Sequence, residues 1–202
     1  MVNDVLVFTP VLRLEPETIQ AIFSLEWDGP MSVLFQRDNP TGNPYIDHYH
    51  QYKRGRQTLL LGAYDAMLVI ESDIIPPPDT LKRLVALDSD VAYGCYMYRS
   101  GVVNILERYK QPARNMGESL TVRGLWESAK KQGIVECSGS GLGCVLIRRK
   151  VLEAVPFRYR ESGPHCDWFW TEEVYRYGFS MKADAGLTVG HKMIDGKVLI
   201  PT

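Results

Sequence analysis

The residues of this sequence that are best placed to do chemistry are two carboxylates that directly follow an apolar run. The run Ala66–Ile70 is followed at once by Glu71, Ser72 and Asp73. Buried strands of parallel sheets read as continuous apolar runs, and open α/β sheets bind ligands beyond the carboxyl ends of their strands. Glu71 and Asp73 are therefore candidates for a metal or ligand site. Two ordinary loop carboxylates would give the same short pattern, so this interpretation stays open here.

A second group of candidates opens a predicted helix over residues 165–178. Acidic residues in the first turns of a helix favour its dipole, so part of the charge here has a structural explanation. Asp167, at the helix start, could accept a proton from a hydroxyl group. The aromatic faces of Trp168 and Trp170 are of the kind that bind sugar rings. This segment is the predicted contact for an acceptor molecule.

His191 follows a predicted strand, Phe179–Asp184, close to the end of the sequence. A lone histidine after a strand is more often a structural residue than a ligand. If the sheet brings His191 beside Asp73, however, an oxygen-plus-imidazole site results. Such a site suits Mn²⁺ or Mg²⁺, and Mn²⁺ better because of the nitrogen ligand.

Strands alternate with helical patterns through the first half of the chain. The predicted strands are Val5–Phe8, Met31–Phe35, Ala66–Ile70 and Asp90–Cys95, and the helical patterns cover Glu15–Trp27, Tyr45–Gly62 and residues 79–87. This alternation indicates βαβ units and a parallel sheet. Asp79 is expected to cap the third helix, after the turn that Pro76, Pro77 and Pro78 impose.

The pattern changes after residue 96. Short strands are predicted over Val102–Leu106 and Ile134–Cys137, on either side of a polar stretch, Tyr109–Gly124, that we expect to be a variable loop. The run Ser138–Gly143 leads into a predicted strand, Cys144–Ile147, and a helix follows over 149–155. A phosphate-cradling loop needs a helix directly after it, so tight packing is the favoured role of these glycines.

Composition narrows the class of protein. The 202 residues are 45% hydrophobic, which suits one domain with a substantial core. The net charge of −1 and the lack of like-charge runs do not predict a dedicated nucleic-acid-binding surface. The four cysteines show no CxxC pair, and the sequence has neither a signal segment nor an apolar stretch of transmembrane length. A reduced, cytoplasmic location is expected, and oligomeric state is undetermined.

In their order and spacing, these segments resemble the family 2 type of GT-A glycosyltransferase. The similarity covers nearly the whole chain, and its elements are Thr9-Pro10, Asp38, Arg56, Glu71-Ser72-Asp73 in the place of the family's DxD motif, Ser140–Gly143, Asp167 and His191. It implies a GT-A fold, which is a Rossmann-like, mostly parallel sheet with helices on both faces and a small antiparallel portion on the acceptor side. Residues 1–95 would bind the nucleotide sugar, and residues 96–202 the acceptor.

The resemblance also implies a role for each matched residue. The donor would be held by Thr9, Pro10, Asp38, Arg56, Glu71, Ser72 and Asp73. Asp73 and His191 would bind the Mn²⁺ or Mg²⁺ ion that neutralises the departing diphosphate. Asp167 would be the general base of an inverting transfer, and Cys166 stands where the family has glutamate.

The expected activity is therefore metal-dependent transfer of a sugar from a UDP- or GDP-sugar to an acceptor hydroxyl. One alternative is a sugar-phosphate nucleotidyltransferase, but those enzymes carry a glycine-rich loop after the first strand, and residues 9–14 contain no glycine. A second alternative is a binding module that retains the pocket without turnover. The joint presence of Asp73, Asp167 and His191 favours an enzyme.

Overall fold

The computed structural model describes residues 2–37, 39–112, 118–159 and 166–202, with the backbone alone for 108–112 and 118–122. The strands in these ranges are β1 (Val5–Pro10), β2 (Met31–Gln36), β3 (Ala66–Ile70), β4 (Ile74–Ile75), β5 (Val91–Cys95), β6 (Leu106–Pro112), β7 (Glu118–Gly124), β8 (Ile134–Glu136), β9 (Cys144–Arg148), β10 (Met181–Thr188), β11 (Gly190–Lys192) and β12 (Val198–Leu199). The helices are α1 (Pro16–Phe23), α2 (Pro44–Leu61), α3 (Thr80–Ala86), α4 (Trp126–Gln132), α5 (Arg149–Ala154) and α6 (Cys166–Arg176).

Seven of these strands form one sheet in the order β2-β1-β3-β9-β5-β10-β8. β1 pairs in parallel with β2 and β3, and β5 pairs in parallel with β10. β9 runs antiparallel between β3 and β5, and β8 runs antiparallel to β10. Every strand except β8 and β9 thus points the same way, which confirms the predicted mostly parallel sheet. Strands from both halves of the sequence meet in it.

Alternate residues of the central strands face two separate apolar cores. Leu6 and Phe8 of β1 belong to a core that also contains side chains of α2, α4, α5 and α6. Val5 and Val7 point the other way, into a core formed with α1 and α3. Because a strand's side chains alternate between its faces, helices cover both sides of the sheet. The predicted two-sided packing is confirmed.

A small second sheet begins just after the carboxyl end of β3. It consists of β12, β11 and β4 in antiparallel order. β4 begins at Ile74, immediately after Asp73, and its partner β11 carries His191 opposite Ile74. This pairing joins two parts of the sequence that are more than a hundred residues apart.

Two predictions for the region after residue 96 are wrong. The stretch Tyr109–Gly124 is not simply a loop, because most of it pairs as β6 and β7. The predicted strand Val102–Leu106 is reduced to a bridge between Val103 and Met97, and β6 begins only at Leu106. A two-stranded ribbon is held by backbone hydrogen bonds, so it does not need the apolar run by which buried strands are recognised.

The prediction that the Asp79 side chain caps α3 is also wrong. Asp79 occupies the cap position, but its side chain makes no capping hydrogen bond. The hydroxyl of Thr80 instead donates to the carbonyl of Pro77 at 2.7 Å, and the Asp79 carboxylate lies 3.8 Å from Arg83.

The described part of the chain contains no helix that is both long enough and apolar enough to cross a bilayer. All four cysteines are buried, and none of them forms a disulfide bond in the ranges described.

Candidate functional site

A cleft of about 560 Å³ opens where the parallel strands end. Its walls come from the segments that follow β1, β3 and β5, from the start of α2 and from the β11 hairpin. The lining residues are Leu12, Arg13, Pro44, Tyr45, His48, Glu71, Ser72, Asp73, Tyr98, Arg99, Ser100, His191 and Ile194. Both halves of the sequence contribute, and the position agrees with the rule that open α/β sheets bind ligands at their carboxyl edge.

His191 and Asp73 lie side by side in this cleft. The Nε2 atom of His191 is 3.4 Å from Oδ2 of Asp73. The backbone fixes both residues, because the amide of Lys192 donates to the carbonyl of Asp73 at 2.7 Å and β4 pairs with β11. The sheet therefore brings His191 beside Asp73, as a mixed oxygen and imidazole site requires.

The surroundings of His191 suit a metal ligand. Its Nδ1 atom lies 2.8 Å from the carbonyl of Met97, a contact that places a proton on Nδ1 and leaves Nε2, beside Asp73, to take up either a second proton or a cation. Burial lowers the pKa of His191, but hydrogen bonds to Asp73 and to the Met97 carbonyl outweigh it, so the pKa is raised above its ordinary value. A cation at Nε2 therefore competes with a proton, and binding should weaken as the pH falls.

The described residues contain no cluster of three or more His, Cys, Asp or Glu side chains that could hold a metal ion. Asp73 and His191 supply two ligands of the type that Mn²⁺ accepts. Hexacoordinate ions that serve phosphate chemistry commonly take their remaining ligands from water and from substrate phosphates. The pair fits such a cation as a partial site.

Glu71 is held in the cleft by two hydrogen bonds. Its amide donates to the carbonyl of Gly143 at 2.9 Å, and its Oε1 atom accepts a hydrogen bond from Tyr52 at 2.8 Å. Burial raises the pKa of Glu71 to about 8, and the charges of Asp73 and Asp167 add to the shift. The charges of Asp73 and Asp167 act on a carboxyl group that burial already keeps from ionising, and a cation at this point of the cleft would relieve that effect.

Asp167 lies in the first turn of α6, where it accepts a hydrogen bond from the amide of Trp168 at 2.7 Å. Its charge raises the pKa of Glu71 and of Tyr98, both of which line the cleft. The predicted base therefore lies within electrostatic reach of the acidic group. Burial raises the pKa of the neighbouring Cys166 thiol, which consequently stays neutral and does not replace a carboxylate.

Three residues expected to hold the donor have side chains that do not line the cleft. Thr9 and Pro10 are the last residues of β1 rather than part of a loop, and both are buried in the interior. Arg56 donates from Nε to the carbonyl of Leu152 at 2.6 Å, so it binds the end of α5. A sequence pattern does not mark the exact end of a buried strand, so the predicted loop after β1 began two residues too early. Asp38 lies outside the described residues.

Trp170 is not an acceptor contact. It is 1% exposed, its indole donates to the carbonyl of Val155 at 3.0 Å, and its ring stacks on Phe157 with centroids 5.1 Å apart. Trp168, two residues earlier on the helix, is only partly buried. The helical repeat separates the two rings, so the pair cannot act as one platform.

The glycines before β9 serve close packing. A Cβ atom at Gly143 would lie 2.8 Å from the ring of Tyr96, and the Gly143 amide donates to the Tyr96 hydroxyl at 3.3 Å. The Tyr96 ring meets His191 edge-on, with centroids 5.8 Å apart. The glycine-rich run thus supports the back of the cleft, in agreement with the favoured interpretation of its sequence.

Several cleft residues were not among the candidates from the sequence. They are Arg13, Tyr45, His48, Tyr98 and Arg99. The signal was available for Arg13 and Arg99, because each follows the carboxyl end of a predicted parallel strand, as Asp73 does. For Tyr45 and His48 the position of α2 against the sheet had to be known first.

No protein-family model and no curated protein matches the sequence of this chain. Among solved structures, the chain is similar to A197 from STIV, with a TM-score of 0.59 and 16% sequence identity. The match covers 98% of this chain and 94% of that chain. At this identity the likeness concerns the fold alone, a mixed α/β architecture that is consistent with a Rossmann-like sheet over nearly the whole chain.

Proposed function

We propose that this protein is a metal-dependent glycosyltransferase of the GT-A type, which moves a sugar from a nucleoside diphosphate to an acceptor hydroxyl. The observation that carries the proposal is the pairing of β4 with β11, which brings His191 to within 3.4 Å of Asp73 at the end of β3. A carboxylate and an imidazole meet there, beside a second carboxyl group, in a cleft at the ligand-binding edge of the sheet.

The charges of the cleft support an anionic donor with an accompanying cation. Arg13 and Arg99 line the cleft and have side chains that are 52% and 58% exposed. Arg99 lies 3.9 Å from Asp73, and Arg13 is paired with Glu15. Guanidinium groups that line the same cleft as the acidic residues suit a diphosphate, and Asp73 and His191 would hold the cation that accompanies it. That cation would supply charge neutralisation of the leaving diphosphate.

The acceptor side of the reaction falls to Asp167. Its carboxylate would take the proton of the acceptor hydroxyl as the oxygen attacks the anomeric carbon and the diphosphate departs from the opposite face. General-base catalysis of this kind contributes about 10²- to 10⁴-fold in rate. Asp167 is not among the residues that line the cleft, and the support for this role is that its charge raises the pKa of Glu71 and of Tyr98, which do line it.

The first experiment is a thermal-shift panel of UDP, GDP, CDP and their common sugar conjugates, each with and without Mn²⁺. A ligand that binds only the folded state raises the melting temperature. We expect a shift that needs both one nucleotide class and the metal. No shift with any nucleotide would contradict the proposal.

Turnover separates an enzyme from a binding module. Slow hydrolysis of a labelled sugar donor to free sugar, dependent on Mn²⁺, is the expected result. Metal-dependent binding without turnover, on water or on any acceptor tested, would identify a binding module instead.

A further inference from the structure

Glu71 and Tyr52 form a buried contact that the proposed reaction does not yet use. Tyr52 lies on α2, is fully buried, and donates its hydroxyl hydrogen to Oε1 of Glu71 at 2.8 Å. Burial and the nearby Glu71 charge raise the pKa of Tyr52 well above its ordinary value, so the phenol keeps its proton. The hydrogen bond occupies one oxygen of Glu71 and leaves the other one available.

The ring of Tyr52 is fixed from several sides. Its centroid lies 5.0 Å from that of Phe157, 5.4 Å from that of His48 and 5.7 Å from that of Phe8. A phenol held in this way cannot follow a moving partner. The position of its hydroxyl therefore determines where the Glu71 carboxyl group can stay.

The length of the Glu71 side chain matches this arrangement. An aspartate at position 71 would withdraw the carboxyl group by one carbon–carbon bond, about 1.5 Å, and would lose contact with a phenol that cannot move. The glutamate is thus long enough both to meet Tyr52 and to line the cleft.

We infer that Tyr52 is a positioning residue, which holds the Glu71 carboxyl group so that its second oxygen faces a hydroxyl group of the bound nucleotide sugar. The inference rests on the proposed function, since it names a donor as the molecule that Glu71 contacts. Without the phenol, Glu71 would still be present, but its carboxyl group would lose the hydrogen bond that fixes its orientation in the cleft.

The test is a double-mutant cycle of Tyr52→Phe and Glu71→Ala, read as the dissociation constant of the donor that the nucleotide panel identifies, with Mn²⁺ present. Tyr52→Phe keeps the ring and removes only the hydroxyl, and we expect about tenfold weaker donor binding, the scale of one lost hydrogen bond. In the Glu71→Ala background, where no acceptor remains for the Tyr52 hydroxyl, the same change should alter affinity by less than about twofold, because the effect acts through Glu71. Tyr49→Phe, on the same helix and outside the cleft lining, is the matched control.

A purely structural role would give a different result. If Tyr52 only stabilised the core, donor affinity would stay at the wild-type value in Tyr52→Phe, or the two changes would add, and either outcome overturns the inference. The same four proteins are also unfolded in urea without ligand. A coupling free energy of zero in the unfolding cycle likewise overturns the inference. If the wild-type protein binds no nucleotide sugar, the proposed function is overturned instead. The unfolding cycle then decides by itself whether Tyr52 holds Glu71.

Discussion

Asp73 is the side chain on which the proposed cation binding depends most directly. We predict that Asp73→Ala abolishes Mn²⁺-dependent donor binding, because it removes the carboxylate beside His191 and leaves the cation that would neutralise the donor diphosphate without a charged ligand. Isothermal titration with the donor, in the presence and absence of Mn²⁺, measures the effect.

Asp28→Ala is the control for this variant. The side chain of Asp28 is 93% exposed, lies 3.6 Å from Lys82 and is not among the residues that line the cleft. Its removal should leave donor affinity unchanged. Unchanged affinity in Asp73→Ala as well would remove Asp73 from the metal site.

Asp167 should act on the chemical step rather than on donor binding. We predict that Asp167→Asn preserves donor affinity and lowers the rate of transfer by roughly 10²-fold or more, the scale of a lost general base. Single-turnover transfer to the acceptor, measured beside donor affinity, separates the two effects.

Glu172→Gln provides the comparison on the same helix. Glu172 is bound to Arg176 one turn later, at 2.8 Å, and should be replaceable with little loss of rate. Normal transfer by Asp167→Asn would exclude Asp167 as the base and direct attention to Glu172 and Glu173.

The strand β9 and the glycine-rich run before it support the cleft from behind. We predict that Gly143→Ala destabilises the protein by about 1–3 kcal/mol, because the new methyl group would overlap the ring of Tyr96, which is held in place by its contacts. Urea unfolding measures this change. Since Tyr96 contacts His191, Mn²⁺ affinity should fall in the same variant.

Gly124→Ala is the matched change at the end of β7. A Cβ atom at Gly124 would meet no other atom within 4 Å. Its free energy of unfolding should stay within about 0.5 kcal/mol of the wild-type value. Equal effects of the two substitutions would show that Tyr96 can move aside.

The seven-stranded sheet forms one side of the cleft, because strands from both halves of the sequence end at the same edge. One consequence is that stability depends on links between distant segments. Asp65, just before β3, accepts hydrogen bonds from the amides of Asn3 and Asp4 at 2.8 and 3.1 Å and so ties the start of the chain to the centre of the sheet. These bonds lower the pKa of Asp65 below its ordinary value of 3.8.

This link should weaken in acid. A carboxyl group with a lower pKa in the folded state adds stability above its unfolded pKa, about 4, and loses that contribution as the pH falls through the folded value. We predict that Asp65→Ala is less stable than wild type at pH 7 and that the gap narrows below about pH 4. Urea unfolding across this range, with Asp28→Ala as the control, measures it. A gap that does not change with pH would contradict the prediction.

The sequence by itself determined the chemistry of single segments. The apolar run Ala66–Ile70 predicted β3, and the abrupt change to Glu71 and Asp73 predicted a ligand site at its end, because a buried strand is mostly apolar and two nearby carboxylates are expected only where the strand leaves the core. Alternating strand and helix patterns were sufficient for the mainly parallel sheet for the same reason. Local patterns of this kind depend on burial alone.

Only the tertiary structure decided which of these segments meet. The pairing of β4 with β11 places His191 beside Asp73, and the packing of α2 against the sheet places Tyr52 on Glu71 and Arg56 on α5. No local pattern distinguishes Trp170, which is buried in the core, from Trp168, which is partly buried. Contacts between residues far apart in sequence depend on strand order and helix orientation, and these follow from the packing of the whole chain rather than from any one segment.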